Sequence, residues 1–218
     1  MIRALVFDFD GLILDTESTF IEAYADIHAR HGLPFDREPL RKEAGFVDYT
    51  FDAWRAFGKD RDRASLEAER RARNRELDLK LPIRPGVTAL LDAAAEAGLR
   101  LGVASNETHA HVEGHLSRVG LLRRFEFVAC RDDVSSPKPE PDVYRLVLNR
   151  FGVKAGEAVA FEDSPIGILA AKRAGMWVVA VPNDTTRGRD FGNAHWRVGS
   201  LEEAILPELR ARFGGEAS

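Results

Sequence analysis

Two carboxylates stand one residue apart at the end of an apolar run, Leu5-Val6-Phe7-Asp8-Phe9-Asp10-Gly11. Residues i and i+2 of an extended segment project to the same side, so Asp8 and Asp10 converge on one point just past a strand. Adjacent carboxylates repel unless a divalent cation or a shared proton neutralises them, and oxygen-only ligands favour a hard ion such as Mg²⁺. Taken alone, Asp10-Gly11 is equally well a plain turn after a strand. Three later stretches bear on that choice: Val103-Ala104-Ser105-Asn106, Lys138-Pro139-Glu140-Pro141-Asp142 and Phe161-Glu162-Asp163-Ser164. Ser105 offers a hydroxyl donor after an apolar run, and Asn106 with the backbone amides that follow offers an anion nest at a helix start. Lys138 offers a point charge on a loop whose prolines limit its freedom. Asp163 offers another carboxylate, although a helix cap ahead of Pro165 accounts for Asp163 and Ser164 too.

In order and spacing, these four stretches together resemble the motifs of the haloacid dehalogenase superfamily. Within it they resemble the subfamily of beta-phosphoglucomutase and phosphoglycolate phosphatase, which carries a helical cap between the first two motifs. The resemblance spans most of the chain. It implies that Asp8 is a nucleophile forming an aspartyl phosphate, and that Asp10 is acid and base while lending its backbone carbonyl to a metal. It also implies that Ser105 and Lys138 are catalytic, that Ser105, Asn106 and Lys138 bind substrate, and that Mg²⁺ sits on Asp8, Asp10 and Asp163 with Glu162 in support. Phosphoryl transfer asks for neutralised charge and in-line positioning, which this set of groups supplies. The expected reaction is Mg²⁺-dependent hydrolysis of a small phosphorylated metabolite, a sugar phosphate or a phosphoglycolate-like compound.

The chain departs from beta-phosphoglucomutase in two places. Asp48, in the segment Gly45-Phe46-Val47-Asp48 expected to face the substrate, stands near where the mutase has an arginine for the second phosphate. Thr19-Phe20 stand near where the mutase has a histidine. A sugar-phosphate mutase is therefore the alternative reading, and a catalytically silent binding or regulatory protein is a second.

The elements that must position these residues follow from periodicity. Residues 4–7 read as a buried strand, and 16–30 as a helix capped by Thr16 and stopped by Gly32. Helical spacing continues over 37–44, 49–57 and 63–79, so an all-helical cap domain is expected over 16–82, inserted into a core domain of 1–15 and 83–218. From Gly86 helices (87–97, 107–119, 141–151, 166–174) alternate with strands (99–104, 125–130, 158–161, 177–181), and Ser200 starts a last helix through 209. Alternation implies parallel strands joined by crossovers, an α/β, doubly wound, Rossmann-like sheet. Ligands bind such sheets outside the carboxyl ends of the strands, where all four motifs fall.

Composition narrows the partners. Of the 218 residues, 44% are hydrophobic and 30% charged, as in a soluble globular protein, and a net charge of −4 gives no general attraction for nucleic acid or an anionic membrane. Cys130 is the one cysteine, which excludes an internal disulfide and suits a cytoplasmic location. The apolar run before Asp8 is too short for a signal peptide or a membrane span. The expected partner is a small phosphorylated metabolite, with no nucleic acid and no membrane, and the expected assembly is a monomer or weak dimer. In His111-Val112-Glu113-Gly114-His115 the glutamate is misplaced for a zinc protease and Gly114 weakens the helix, so a solvated helix is expected. Arg70, Arg71, Arg73 and Arg75 interleave with Glu69, Glu76 and Asp78 as an exposed, salt-bridged face would.

Overall fold

The computed structural model describes residues 1–43 and 50–215. Its central element is β1 (Ala4–Phe7), buried along its whole length. Leu5 and Phe7 join one apolar cluster and Ala4 and Val6 another, the alternation that a strand covered on both faces requires. β1 lies between β2 (Arg100–Ala104) and β4 (Ala158–Glu162). β3 (Phe127–Ala129) extends the sheet beyond β2, while β5 (Trp177–Ala180) and β6 (Trp196–Arg197) extend it beyond β4. Every neighbouring pair is parallel, giving the order β3-β2-β1-β4-β5-β6.

Helices cover both faces. α4 (Val87–Glu96), α5 (His109–Arg118) and α8 (Leu206–Phe213) send Leu91, Leu116 and Leu209 into the cluster with Phe7. α6 (Asp142–Phe151) and α7 (Pro165–Arg173) send Tyr144, Val147 and Ile168 into the cluster with Val6. Chain order reverses at β1, whose neighbours β2 and β4 lead off in opposite directions. That switch opens a crevice beyond its carboxyl end. The register sets Phe7 opposite Val103 and Phe161, so Asp8 emerges beside the ends of both neighbours.

Between β1 and α4 the described residues hold only helices: α1 (Thr16–Arg30), α2 (Glu38–Glu43), α3 (Arg63–Asp78) and a 3₁₀ turn at Arg55–Phe57. α1 and α3 pack together, and Ile27, Trp54 and Leu66 form an apolar cluster separate from the two that flank the sheet.

Several expectations need correction. Asp15, not Thr16, caps α1 by accepting from the Ser18 amide, and the Thr16 hydroxyl serves Asp10 instead. The helix expected over 49–57 shrinks to the 3₁₀ turn, because Asp52 turns its carboxylate onto the Trp54 amide. Ser200 starts no helix; its hydroxyl closes a turn on the Glu202 amide, and α8 begins later, where Pro207 suits a first turn. β6 has only two residues, too few to show a period. The segment 45–48, expected to face substrate, lies outside the described residues.

Candidate active site

Lys138 is the pivot of the crevice. Its ammonium donates to Asp8 Oδ1 and to Glu162 Oε1, both at 2.6 Å, and lies 5.0 Å over the Tyr144 ring. Only 4% of the lysine is exposed and none of Glu162, so each charge is held by the others rather than by water. The Asp8 and Glu162 charges raise the lysine above its ordinary range although burial opposes them. Tyr144 adds a hydroxyl to the same glutamate oxygen at 2.5 Å, and Ser164 reaches Oε2 at 3.3 Å. Asn106 fixes the lysine's backbone from both ends of its amide, accepting from Lys138 N at 2.7 Å and donating to Lys138 O at 3.1 Å. The Asn106 side chain thus holds the loop that carries Lys138, and Asn106 also lines the cavity that opens above the crevice floor.

One positive charge faces too many negative ones. A carboxylate oxygen from each of Asp8, Glu162 and Asp163 lies within 4.8 Å of the others, and all three residues are buried. Burial and the Glu162 charge push the Asp8 carboxyl up to about 8, against the pull of Lys138. Burial, then Glu17 and Asp8, hold Asp163 well above the usual carboxylate range. A cluster of oxygens short of positive charge fits a hard divalent cation.

Asp163 is aimed from behind. Asn183 Nδ2 donates to its Oδ2 at 2.6 Å and to the Gly11 carbonyl at 3.1 Å, while Asn183 Oδ1 accepts from the amides of Thr185 and Thr186. Gly11 must be glycine: its φ is +72°, and a Cβ there would come within 2.3 Å of Asp163 Oδ2 and 2.4 Å of Asn183 Nδ2.

Asp10 turns its side chain away from this cluster. Thr16 Oγ1 and His111 Nε2 meet Oδ1 at 2.6 and 2.9 Å, and Ser105 Oγ lies 3.4 Å from Oδ2. Burial would raise this carboxyl, but the His111 charge and hydrogen bond with the Thr16 hydroxyl hold it below the usual range. Burial works against His111 too, yet Asp10 lifts its imidazole to about 9. Above this floor opens a cavity of about 390 Å³. Asp8, Asp10, Ser105, Lys138 and Asp163 line it from the sheet, Phe20, Arg70, Arg71 and Arg75 from α1 and α3, and His111 and Arg131 from one side.

The sequence model of haloacid dehalogenase-like hydrolases matches residues 5–181, which contain the whole of this floor up to Asp163. The chain belongs to that family. It is 41% identical over 213 residues to the Bacillus subtilis protein named "Putative phosphatase YhcW", with 96% of each chain covered. A crystal structure of a CbbY variant from Rhodobacter sphaeroides in complex with xylulose-(1,5)bisphosphate superposes with a TM-score of 0.79 at 30% identity, covering 96% of this chain and 99% of that one. A beta-phosphoglucomutase from Clostridium difficile superposes at 0.77 with 20% identity, over 98% of each chain, a likeness of fold alone.

In this haloacid dehalogenase-like chain, Asp8, Asp10, Ser105, Lys138, Glu162 and Asp163 all reach one crevice. Three other residues there escape sequence reading. Asn183 looks like a turn residue after a strand, and Tyr144 looks like a core position of a helix. His111 is the third, and the solvated helix expected for it is overturned, since Asp10 takes its Nε2. The exposed face expected for Arg70 is also overturned. Arg70 is 7% exposed, lies 4.8 Å over Phe20 and 5.1 Å over Tyr24, and is tied to Glu67 and Asn74. No helix among the described residues is long and apolar enough to cross a membrane.

Proposed function

We propose that the chain is a Mg²⁺-dependent phosphatase acting on a small phosphorylated metabolite, a sugar phosphate in the first instance, through an aspartyl phosphate on Asp8. The observation that carries this reading is the buried Asp8–Lys138 pair at the end of the central strand, facing Asp163 across the crevice. Asp8, Asp163 and the Asp10 carbonyl, with Glu162 behind them, would hold Mg²⁺, which neutralises charge on the phosphoryl group and on the carboxylates around it.

The chain's own residues account for the proton and bond changes. An Asp8 carboxylate oxygen attacks phosphorus; the bond from phosphorus to the ester oxygen breaks, and that oxygen takes a proton from Asp10. Asp10, now a carboxylate, takes a proton from water; the water oxygen attacks phosphorus, and Asp8 leaves as a carboxylate beside inorganic phosphate. Lys138 favours the charged form of Asp8 despite its burial, and the Ser105 hydroxyl offers a donor to a phosphoryl oxygen. Residues 16–82 serve as a cap domain on a core of 1–15 and 83–218, with α1 and α3 roofing the cavity and limiting it to small substrates.

The sugar-phosphate preference draws on CbbY, whose structure holds a ketose bisphosphate, and on the cationic roof here. The test is inorganic phosphate release from a panel of phosphorylated metabolites, with Mg²⁺ and with EDTA, ranked by kcat/KM. Turnover should require Mg²⁺ and fall by roughly 10⁴-fold or more in Asp8→Asn while the protein stays folded. An Asp8→Asn enzyme that keeps wild-type turnover removes Asp8 as nucleophile. On glucose 1-phosphate with a bisphosphate primer, phosphate should appear without the 6-phosphate isomer; isomer forming faster than phosphate would establish a mutase.

A further inference from the structure

His111 has no part in the reaction just described, yet its imidazole meets the carboxylate on which both proton transfers depend. A carboxylate only accepts hydrogen bonds, so the imidazole at 2.9 Å and the Thr16 hydroxyl at 2.6 Å both donate to Asp10 Oδ1. Two donors use both lone pairs of that oxygen. Among the described residues Oδ2 meets only the Ser105 hydroxyl, which donates to it at 3.4 Å and itself accepts from the Glu107 amide at 3.0 Å. A proton on Oδ1 would meet two donor hydrogens head-on, whereas Oδ2 has a lone pair to spare on the cavity side.

We propose that His111 is a positioning residue for Asp10: together with Thr16 it pins Oδ1, so that Oδ2 is the oxygen that gives the proton to the leaving group and later takes one from water. The inference rests on the phosphatase reading, in which Asp10 is the acid and base.

The two donors reach Asp10 from different parts of the molecule. Thr16 opens α1, one of the helices roofing the cavity, so its hydroxyl is tied to that helix. His111 belongs to α5, whose Val112 and Leu116 are fully buried against the sheet. Its ring is set by edge contacts with Phe9, at 5.8 Å and 88°, and with His115, at 4.7 Å and 64°. The imidazole is therefore anchored to the same rigid layer as Asp10 itself, and Asp10 keeps one fixed donor whatever the roof does. Such an anchor matters because the Asp10 side chain is 23% exposed and, among the described residues, hydrogen-bonds to no other side chain from the sheet layer except Ser105. A displacement of about 1 Å in a group that must reach a reacting oxygen is enough to slow turnover by roughly 100-fold.

Two substitutions separate the roles of the ring and of its N–H. His111→Phe keeps an aromatic body against Phe9 and removes the donor, while His111→Gln keeps an amide N–H at comparable reach. With saturating Mg²⁺ and the preferred phosphomonoester, His111→Phe should lower kcat by about 10- to 100-fold with KM within about twofold of wild type. His111→Gln should recover most of the lost kcat. In an Asp10→Asn background, His111→Phe should add less than about twofold, because its effect passes through the missing carboxylate. A wild-type kcat in His111→Phe overturns the inference, as does a loss that persists undiminished beside Asp10→Asn, or a rise in KM at constant kcat. If His111→Phe does not fold, His111→Asn replaces it: its amide is too short to reach Oδ1, so equal kcat in the Asn and Gln variants also overturns the proposal. An inactive Asp10→Asn beside an unaffected His111→Phe removes His111 alone. Asp10→Asn turning over like wild type removes the acid–base reading and this inference with it.

Discussion

The floor and the roof of the cavity are both charged, and they hold their charge in opposite ways. On the floor, Asp8, Lys138, Glu162 and Asp163 are almost wholly buried, and each is set by its neighbours. On the roof, Arg71 pairs with Glu67 while keeping 66% of its side chain in water, and the exposed Arg75 makes no ion pair among the described residues. Water screens Arg71 and Arg75, whereas the buried Arg70 of the same roof is held by Glu67 and Asn74. Burial couples the floor charges, so removing one alters the state of all the rest.

The sharpest way to break the floor is to remove its cation. Lys138→Met should end turnover and destabilise the metal-free protein by about 3–5 kcal/mol, because it leaves two buried carboxylates unpaired. Denaturant unfolding in EDTA measures this, and a loss below about 1 kcal/mol would mean that the floor charges are not coupled. Removing a carboxylate should do the reverse to stability. In Asp163→Asn one of three mutually repelling charges is gone while an oxygen remains for Asn183, so without metal the protein should melt no lower than wild type. Its Mg²⁺ requirement should rise by about 10- to 100-fold. Unchanged metal dependence would take Asp163 off the ion.

Roof substitutions should be felt far less. Arg75→Ala should raise KM by about two- to fivefold at low salt with kcat preserved, and the difference should fade as salt is added. A fall in kcat instead would show that Arg75 touches the reacting group.

The smallest effect belongs to a surface ion pair away from both regions. Burial opposes protonation of His109, but hydrogen bonds to Glu113 and Asp133 raise its imidazole above the ordinary 6.5. A folded value above the unfolded one means that the contribution is complete below about pH 6.5 and fades as pH rises through the folded value. His109→Gln should flatten that part of the stability profile by no more than a few tenths of a kcal/mol. Identical pH profiles for wild type and variant would show that the ion pair contributes nothing.

The same contrast explains what the sequence made legible. Asp8, Asp10, Lys138 and Asp163 stand out because apolar runs lead into them or prolines surround them, and parallel topology alone sends strand ends to one crevice. The alternation of helix and strand gave the doubly wound sheet, but β6, at two residues, shows no pattern of its own. The missed residues act through others. Asn183 matters because Asp163 and Gly11 lie above it, and Tyr144 because Glu162 comes to its hydroxyl; each is ordinary within its own segment. His111 is on a helix whose spacing says only that Val112 and Leu116 face inward. Arg70 is buried by Phe20 and Tyr24, some fifty residues earlier, a pairing across helices that local periodicity cannot show.

The placement of β1 also decides when the site can exist during synthesis. The strand that delivers Asp8 leaves the ribosome well before either of its neighbours, since Val6 pairs with Gly102 on one side and with Ala160 on the other. Until residues near 160 have emerged, an apolar strand has one edge unpaired, and Glu162 and Asp163 are not there to meet Lys138. Hydrolytic competence therefore arrives late and all at once, and the early strand must be sheltered meanwhile from pairing with other chains. Stalled chains ending before β4 should show no Mg²⁺-stimulated phosphate release, whereas all 218 residues held on the ribosome through a linker added after Ser218 should; activity in the shorter set would mean that β4 is dispensable for the site.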